Sequence, residues 1–225
     1  MGRFDRLTFE SFKELALDPS LCDSEKIGFD REYRTEAHIE EILYEISLNL
    51  DIFTICKRVL DIGCGCSGFT SKFINLCGNY GHALCLVDSE EVLSLLPNED
   101  FVTKIAGRFP DEVNIGTGSF DAILVYSVLQ HVILDMNPFT FIDSTVSLLA
   151  PGGRVLLGDI PNLSHRNRNS NLEKITCFND RIDDSILISI VSRYRACGFN
   201  TYILPQGKTL PLCDTREHIL IERPL

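Results

Sequence analysis

The chain reads as an α/β protein: a doubly wound, mainly parallel sheet with helices on both faces, behind a helical N-terminal extension. Three observations predict it. From Arg58 onward, short aliphatic or β-branched runs alternate with amphipathic stretches, which is the rhythm of repeated strand–helix units. The runs are apolar nearly throughout, as strands buried on both faces of a parallel sheet must be. A glycine turn also stands where the first run gives way to a helix, the place at which open α/β sheets bind ligands.

In chain order, Phe9, Phe12 and Leu15 mark a short amphipathic stretch, and Ile39, Ile42, Leu43, Ile46 and Leu50 recur at helical spacing behind Glu36. Residues 1–56 are expected to form a helical extension or lid packed on a main domain of residues 57–225, one structural domain in all. Arg58–Ile62 is the first strand, and Phe69, Phe73 and Leu76 share a face of the helix after it. His82 to Asp88 is the second strand, followed by a short helix from Ser89 to Leu96. Phe101 to Ala106 and Phe120 to Tyr126 are the third and fourth. Ile142, Val146 and Leu149 mark a helix that leads through Pro151-Gly152-Gly153 into a fifth strand, Arg154 to Gly158. After Pro161 to Asp180, a polar, Asn-rich stretch that reads as a lid or acceptor-binding loop, come a helix with Leu187, Ile190, Val191 and Tyr194 inward and strands at Thr201 to Leu204 and His218 to Glu222.

Composition narrows the function. The 225 residues hold 21 basic and 32 acidic side chains, a net charge of -11, which disfavours binding to nucleic acid or anionic membranes. The nine cysteines lie mostly in apolar runs, without a CxxC pair or a Cys/His cluster at zinc spacing; they read as reduced core thiols, with no metal expected. Met1-Gly2-Arg3-Phe4-Asp5 has no apolar signal core and no stretch is long enough to span a bilayer, so a cytoplasmic protein is expected.

The strongest chemical signal is Val59-Leu-Asp61-Ile-Gly63-Cys64-Gly65-Cys66-Ser67-Gly68-Phe69-Thr70. Glycine lets the backbone turn sharply and lets a ligand approach where a Cβ would obstruct it. Asp88 ends the second strand, where a carboxylate accepts hydrogen bonds from both hydroxyls of a ribose. The turn lacks the full GxGxxG of dinucleotide enzymes.

Four segments in order, Leu-Asp-Ile-Gly-Cys-Gly, Leu-Val-Asp-Ser-Glu-Glu-Val-Leu, Ser-Phe-Asp-Ala-Ile-Leu-Val-Tyr-Ser-Val-Leu-Gln-His-Val and Leu-Leu-Ala-Pro-Gly-Gly-Arg-Val-Leu-Leu, resemble the successive motifs of class I, Rossmann-like S-adenosylmethionine-dependent methyltransferases. The resemblance covers residues 57 to 160 strongly. It implies seven strands with the last antiparallel, S-adenosyl-L-methionine as cofactor, and a set of cofactor contacts: Asp61, Gly63, Cys64 and Gly65 at the methionine moiety, Asp88 and Ser89 at the ribose, Gly107, Arg108 and Phe109 beside adenine, and Tyr126 and Ser127 near the methyl. Arg34, with Tyr33, stands where related enzymes close a lid over the methionine carboxylate. Two departures stand out. Arg108 occupies a position often acidic in the family, so another acceptor must serve the adenine amino group. Ser67 replaces a frequent third glycine, and Gly68 is expected to take up the unusual backbone geometry.

His131, after the fourth strand, and Asp159, ending the fifth, are the candidate catalytic bases; packing of the His and a turn role for the Asp are the bland alternatives. His165, Arg166 and Arg168 form a basic island suited to an anionic group on the acceptor, or a solvated loop. No Asn/Asp-Pro-Pro-Tyr/Phe segment follows the fourth strand; Tyr126-Ser127-Val128-Leu129 in its place points to oxygen rather than nitrogen. The Gly158-Asp-Ile-Pro-Asn162 turn is similar to that of methyltransferases of surface-polysaccharide and sugar-nucleotide pathways. The expected activity is O-methylation of a small, anionic acceptor such as a sugar, sugar nucleotide or phosphorylated metabolite, by a monomer or homodimer. RNA or protein methylation, a non-catalytic cofactor-binding partner subunit and an NAD(P)-dependent oxidoreductase are the alternatives.

Overall fold

The computed structural model describes residues 7–31, 33–168 and 182–225, with backbone only for 166–168. In chain order the elements are α1 (Phe9–Leu17), α2 (Asp23–Lys26), α3 (Glu36–Asn49), β1 (Arg58–Ile62), α4 (Gly68–Asn79), β2 (Ala83–Asp88), α5 (Glu90–Leu93), β3 (Val102–Ala106), β4 (Phe120–Tyr126), α6 (Leu129–Asp135), α7 (Pro138–Ser147), β5 (Leu149–Pro161), α8 (Leu163–Arg168), α9 (Asp184–Ala196), β6 (Asn200–Pro205) and β7 (Arg216–Glu222).

The seven strands form one sheet in the order β3-β2-β1-β4-β5-β7-β6. Neighbours pair parallel from β3 to β5, and β7 runs antiparallel to both β5 and β6. Winding from β1 proceeds outward to β3 and then restarts on the other side with β4. The carboxyl ends of β1 and β4 therefore flank the point where strand order reverses, and a crevice opens there.

Alternation along the strands feeds two cores. Val59, Leu84, Leu86, Ala122 and Leu124 face Ile42, Ile46, Phe69 and Phe73 of α3 and α4. Leu60, Ile62, Ile123, Val125 and Leu157 face Phe141, Ile142, Leu187, Ile190 and Tyr194 of α6-side helices α7 and α9. Strands clad on both faces account for the unbroken apolar runs. Helix starts follow local chemistry: Thr35 Oγ1 caps α3 by accepting from His38 N, Asn137 caps α7 with Pro138 as its first residue, and Asp183 caps α9.

Three expectations need correction. The fifth strand begins at Leu149, not Arg154, because Leu149 pairs with Phe120 and the Pro-Gly-Gly stretch is carried through as a register shift rather than a turn. Part of the expected loop after Pro161 is helical, as α8; its remaining residues lie outside those described. Gly68 is the first residue of α4 and carries none of the unusual geometry assigned to it; Gly63 and Gly65 hold the positive φ, at 73° and 63°. Among the described residues no helix is long and apolar enough to cross a membrane.

Candidate active site

A cleft lies over the carboxyl ends of β1, β2 and β4. Its floor is the glycine turn. A Cβ on Gly63 would come within 2.6 Å of Val128 Cγ2, and one on Gly65 within 2.9 Å of Ile27 Cγ2, so both positions need glycine for space as well as for φ. Gly65 N donates to Asp88 Oδ2 at 2.9 Å, and Ser89 N donates to Asp88 Oδ1 at 2.8 Å. The acid at the end of β2 is thereby aimed into the cleft. Burial pushes its pKa up to about 6 against the lowering effect of those two bonds.

Asp61 lines the cleft and is 1% exposed, and its Oδ2 has no hydrogen-bond partner among the described residues. Burial first, and the neighbouring Asp88 second, raise its pKa well above the ordinary carboxylate range. A buried acceptor left without a donor is costly, and this one opens on space where a ligand's N–H would satisfy it. Cys64 and Cys66 in the same turn are thiols, not thiolates: burial, then Asp88, drives both upward, Cys66 to about 11. The eight described cysteines are all free, but only Cys64, Cys66, Cys77 and Cys85 are buried, so the core reading fits half of them.

Among the remaining residues assigned to the cofactor, Gly107, Arg108, Phe109, Tyr126, Ser127 and Arg34 line the cleft, whereas Ser89 caps α5 through Val92 N. Arg108 does not stand alone: its Nη2 reaches Asp135 Oδ2 of α6 at 3.4 Å, and Asp135 also lines the cleft. A carboxylate thus reaches the Arg108 side of the cleft from α6.

Arg34 joins the extension to the sheet. Its guanidinium sits 4.5 Å from the Phe29 ring centroid and 5.5 Å from that of Tyr126, and its Nη2 donates to Ser127 Oγ at 3.0 Å and Asp159 Oδ2 at 3.1 Å. Asp159 is 1% exposed and does not line the cleft. It also receives Gln206 Nε2 at 3.1 Å, with Arg216 Nη1 3.7 Å from Oδ1. Its backbone N donates to His218 Nδ1, and His218 Nε2 faces Glu45 Oε2 at 3.4 Å. Sequence reasoning missed Gln206, Arg216, His218 and Glu45. The available signal was Arg216 and His218 at alternate positions of a closing strand that is otherwise mostly aliphatic.

His131 lies on α6 with its ring in the cleft wall. Its Nδ1 is 3.1 Å from the Leu7 carbonyl oxygen, and Phe12 meets the ring edge-on with centroids 4.9 Å apart. Burial lowers its pKa to about 4, so the imidazole is neutral at physiological pH. His165 is elsewhere: its Nε2 lies 3.4 Å from Glu217 Oε1, and Asn162 Nδ2 donates to both Glu217 and Asp184. His165, Asp184 and Glu217 bring ligand-type atoms within 4.8 Å of one another, a convergence from three elements that sequence spacing cannot show. The side chains of Arg166 and Arg168 lie outside the described residues.

Residues 60–157 match the family model described as "Methyltransferase domain". No curated protein matches the chain in sequence. Among solved structures, the chain is similar to the N-methyltransferase NodS from Bradyrhizobium japonicum WM9 in complex with S-adenosyl-L-homocysteine, at 16% identity and a TM-score of 0.64 over 96% of this chain and 98% of that one. It is also similar to the Burkholderia thailandensis 1,6-didemethyltoxoflavin-N1-methyltransferase, at 17% identity and a TM-score of 0.55 over 84% of this chain and 80% of that one. The plantazolicin methyltransferase BpumL matches at 15% identity and a TM-score of 0.64, over 96% and 98%. At these identities the likeness is one of fold. The cofactor class fits the donor set present: an orphaned buried Asp61 oxygen for an ammonium, a glycine floor that a Cβ would fill, and Asp88 for a ribose. Residues 60–157 are therefore a methyltransferase domain of the class that uses S-adenosylmethionine.

Proposed function

We propose that this protein transfers a methyl group to a hydroxyl oxygen of a small acceptor, with His131 taking the acceptor's proton. The single observation that carries this reading is the state of His131 in the cleft wall: neutral, with Nδ1 committed to a carbonyl. A carbonyl oxygen only accepts, so Nδ1 bears the hydrogen and Nε2 keeps a lone pair. A hydroxyl donating to that lone pair has its own oxygen pair oriented for attack. As the new carbon–oxygen bond forms, the hydroxyl proton becomes strongly acidic, and an imidazole of low pKa suffices to receive it.

The bound cofactor supplies the electrophilic methyl. The chain's own residues do the remaining work. Asp88 holds the ribose hydroxyls, Asp61 and the glycine turn hold the amino-acid end, and Asp135 with Arg108 borders the adenine. Arg34, fixed by Ser127 and Asp159 through one nitrogen, turns the rest of its fork to a carboxylate. Asp159 acts in this reading as a positioning residue, since its carboxylate is engaged by Arg34, Ser127 and Gln206.

The cleft wall near His131 carries Phe9, Phe12 and Val132, which suits an acceptor with apolar surface beside its nucleophile. A sugar or phosphorylated acceptor remains part of the proposal only through the segment after Pro161. Nitrogen is the second reading, favoured because NodS and the toxoflavin enzyme are N-methyltransferases by name. The test uses methyl-labelled S-adenosylmethionine and a cell extract split into small-metabolite, nucleotide-sugar, RNA and protein fractions, with the methylated atom identified by mass spectrometry. Label on a small-molecule oxygen, lost in His131→Gln, supports the reading; label on nitrogen, RNA or protein overturns it.

A further inference from the structure

The seating of α1 does more than cover the cleft. Lys13 Nζ lies 3.9 Å from Glu91 Oε1 on α5, the helix that follows Asp88. On the opposite bank, the Leu7 carbonyl and the Phe12 ring hold His131 of α6. The segment Leu7–Leu17 thus spans the cleft from the ribose-binding side to the imidazole. It is wedged from behind by Gly28, where a Cβ would come within 2.6 Å of Leu7 Cδ1 and 3.3 Å of Phe12 Cε1.

We infer that Leu7 is a positioning residue that sets the tautomer of His131, so that the imidazole presents a basic Nε2 only when the N-terminal segment is seated across the cleft. The inference rests on the proposed role of His131. Free neutral imidazole has two tautomers, and the hydrogen bond made by one ring nitrogen decides which nitrogen carries the proton. With Leu7 in place, the hydrogen is held at Nδ1. With the segment displaced, the Nδ1–H tautomer loses its acceptor. The edge-on Phe12 ring restrains the imidazole plane in the same seated state.

In the step this serves, the acceptor's O–H bond breaks and its proton passes to Nε2, while the oxygen pair forms the bond to carbon and the carbon–sulfur pair returns to sulfur. The positive charge that begins on sulfur ends on the imidazolium. Seating the segment therefore couples enclosure of the cofactor to the ability to accept that proton, and an open cleft has no oriented base. The charged groups around the ring are Asp135 on its own helix, Asp159 on β5 and Arg216 on β7; their effects oppose one another beneath the larger effect of burial.

The experiment records two-bond proton–nitrogen correlation spectra of the full chain with 15N-labelled histidine, His131 being assigned by its loss in His131→Gln. In the parent protein at pH 7 the Nδ1–H pattern is expected, with titration only near pH 4. Gly28→Ala crowds Leu7 and Phe12, and its His131 should shift to the Nε2–H or a mixed pattern. If Gly28→Ala fails to fold, Phe12→Ala provides the same readout. An Nε2–H pattern in the parent protein, or a tautomer unchanged in the displaced variants, overturns the inference. None of these signals depends on turnover: a tautomer that shifts as expected while His131→Gln still transfers methyl in the extract assay sinks the proposed role of His131 and leaves the coupling to Leu7 intact.

Discussion

Ser127 Oγ donates to Asp159 Oδ2 at 2.5 Å, and both residues hold left-handed backbone, with φ of 59° and 57°. Each such non-glycine residue costs about 1–3 kcal/mol. They stand at the carboxyl ends of adjacent strands β4 and β5, and Asp159 sits in the register shift between Leu157 and Ile160. The strain is held by what it assembles: Arg34 and Arg216 converge on one buried carboxylate, with Gln206 and His218 completing the shell.

Asp159→Asn should therefore destabilise the fold by roughly 3–5 kcal/mol at pH 7, because two buried guanidinium groups lose their counter-charge. Burial works to raise the Asp159 pKa, but Arg216, Arg34 and the Ser127 hydroxyl outweigh it and hold it below the ordinary value. A carboxyl depressed in the folded state adds stability that is full above its unfolded pKa of about 3.9 and is lost as pH falls through the folded value. Urea titrations between pH 2 and 7 should show a steep acid limb in the parent protein and a flatter one in the variant. Equal limbs would mean that Asp159 is not ionised in the fold.

Asp88 shows the opposite shift, with burial raising it to about 6. Its protonation favours the folded state as pH drops through that value, so fold stability should not suffer there. Ligand affinity should, because a ribose needs the carboxylate as acceptor. The Kd for S-adenosylhomocysteine, measured by calorimetry, is expected to be flat above pH 7 and to rise about tenfold per pH unit below 6. Asp88→Asn should bind about 10- to 100-fold more weakly at pH 7 and lose this dependence.

The seven strands and the glycine turn were legible because their signals are local: buried strands announce themselves as apolar runs, and Gly63 and Gly65 as a turn no other residue fills. Asp61, Asp88 and Ser127, which line the cleft, lie within the ordered motifs, and Gly107 follows the third strand. The shell of Asp159 was not legible. Gln206, Arg216 and His218 are 47 or more residues from it in sequence and meet it only through the folded sheet, and Glu45 joins the shell only through His218. Leu7 acts through its backbone carbonyl, which carries no side-chain signal at all. His165 looked like part of a basic island because its neighbours Arg166 and Arg168 are basic, whereas its partner Glu217 comes from a strand 52 positions on.

Gly63→Ala and Gly65→Ala should each weaken S-adenosylhomocysteine binding at least tenfold while leaving the chain folded. A Cβ at positive φ costs about 1–2 kcal/mol, and each new methyl must displace Val128 or Ile27 from the cleft wall. The Gly65 change should also loosen the Gly65 N to Asp88 bond, raising the Asp88 pKa above 6 since that bond is one of the two that lower it. Unchanged affinity in both variants would show that the turn is only a structural corner.

In the proposed reading, Arg34 contacts the amino-acid end of the cofactor and not its nucleoside. The guanidinium is stacked over Phe29 and Tyr126 and bonded to Ser127 and Asp159 through a single nitrogen. Lysine has one ammonium and no planar face, so it cannot hold Asp159 and a ligand carboxylate at once. Arg34→Lys should lower affinity for S-adenosylhomocysteine tenfold or more yet leave that for 5′-methylthioadenosine, which lacks the amino-acid end, within about threefold. An equal loss for both ligands would place Arg34 in the scaffold alone, holding Asp159 and the extension without touching the ligand.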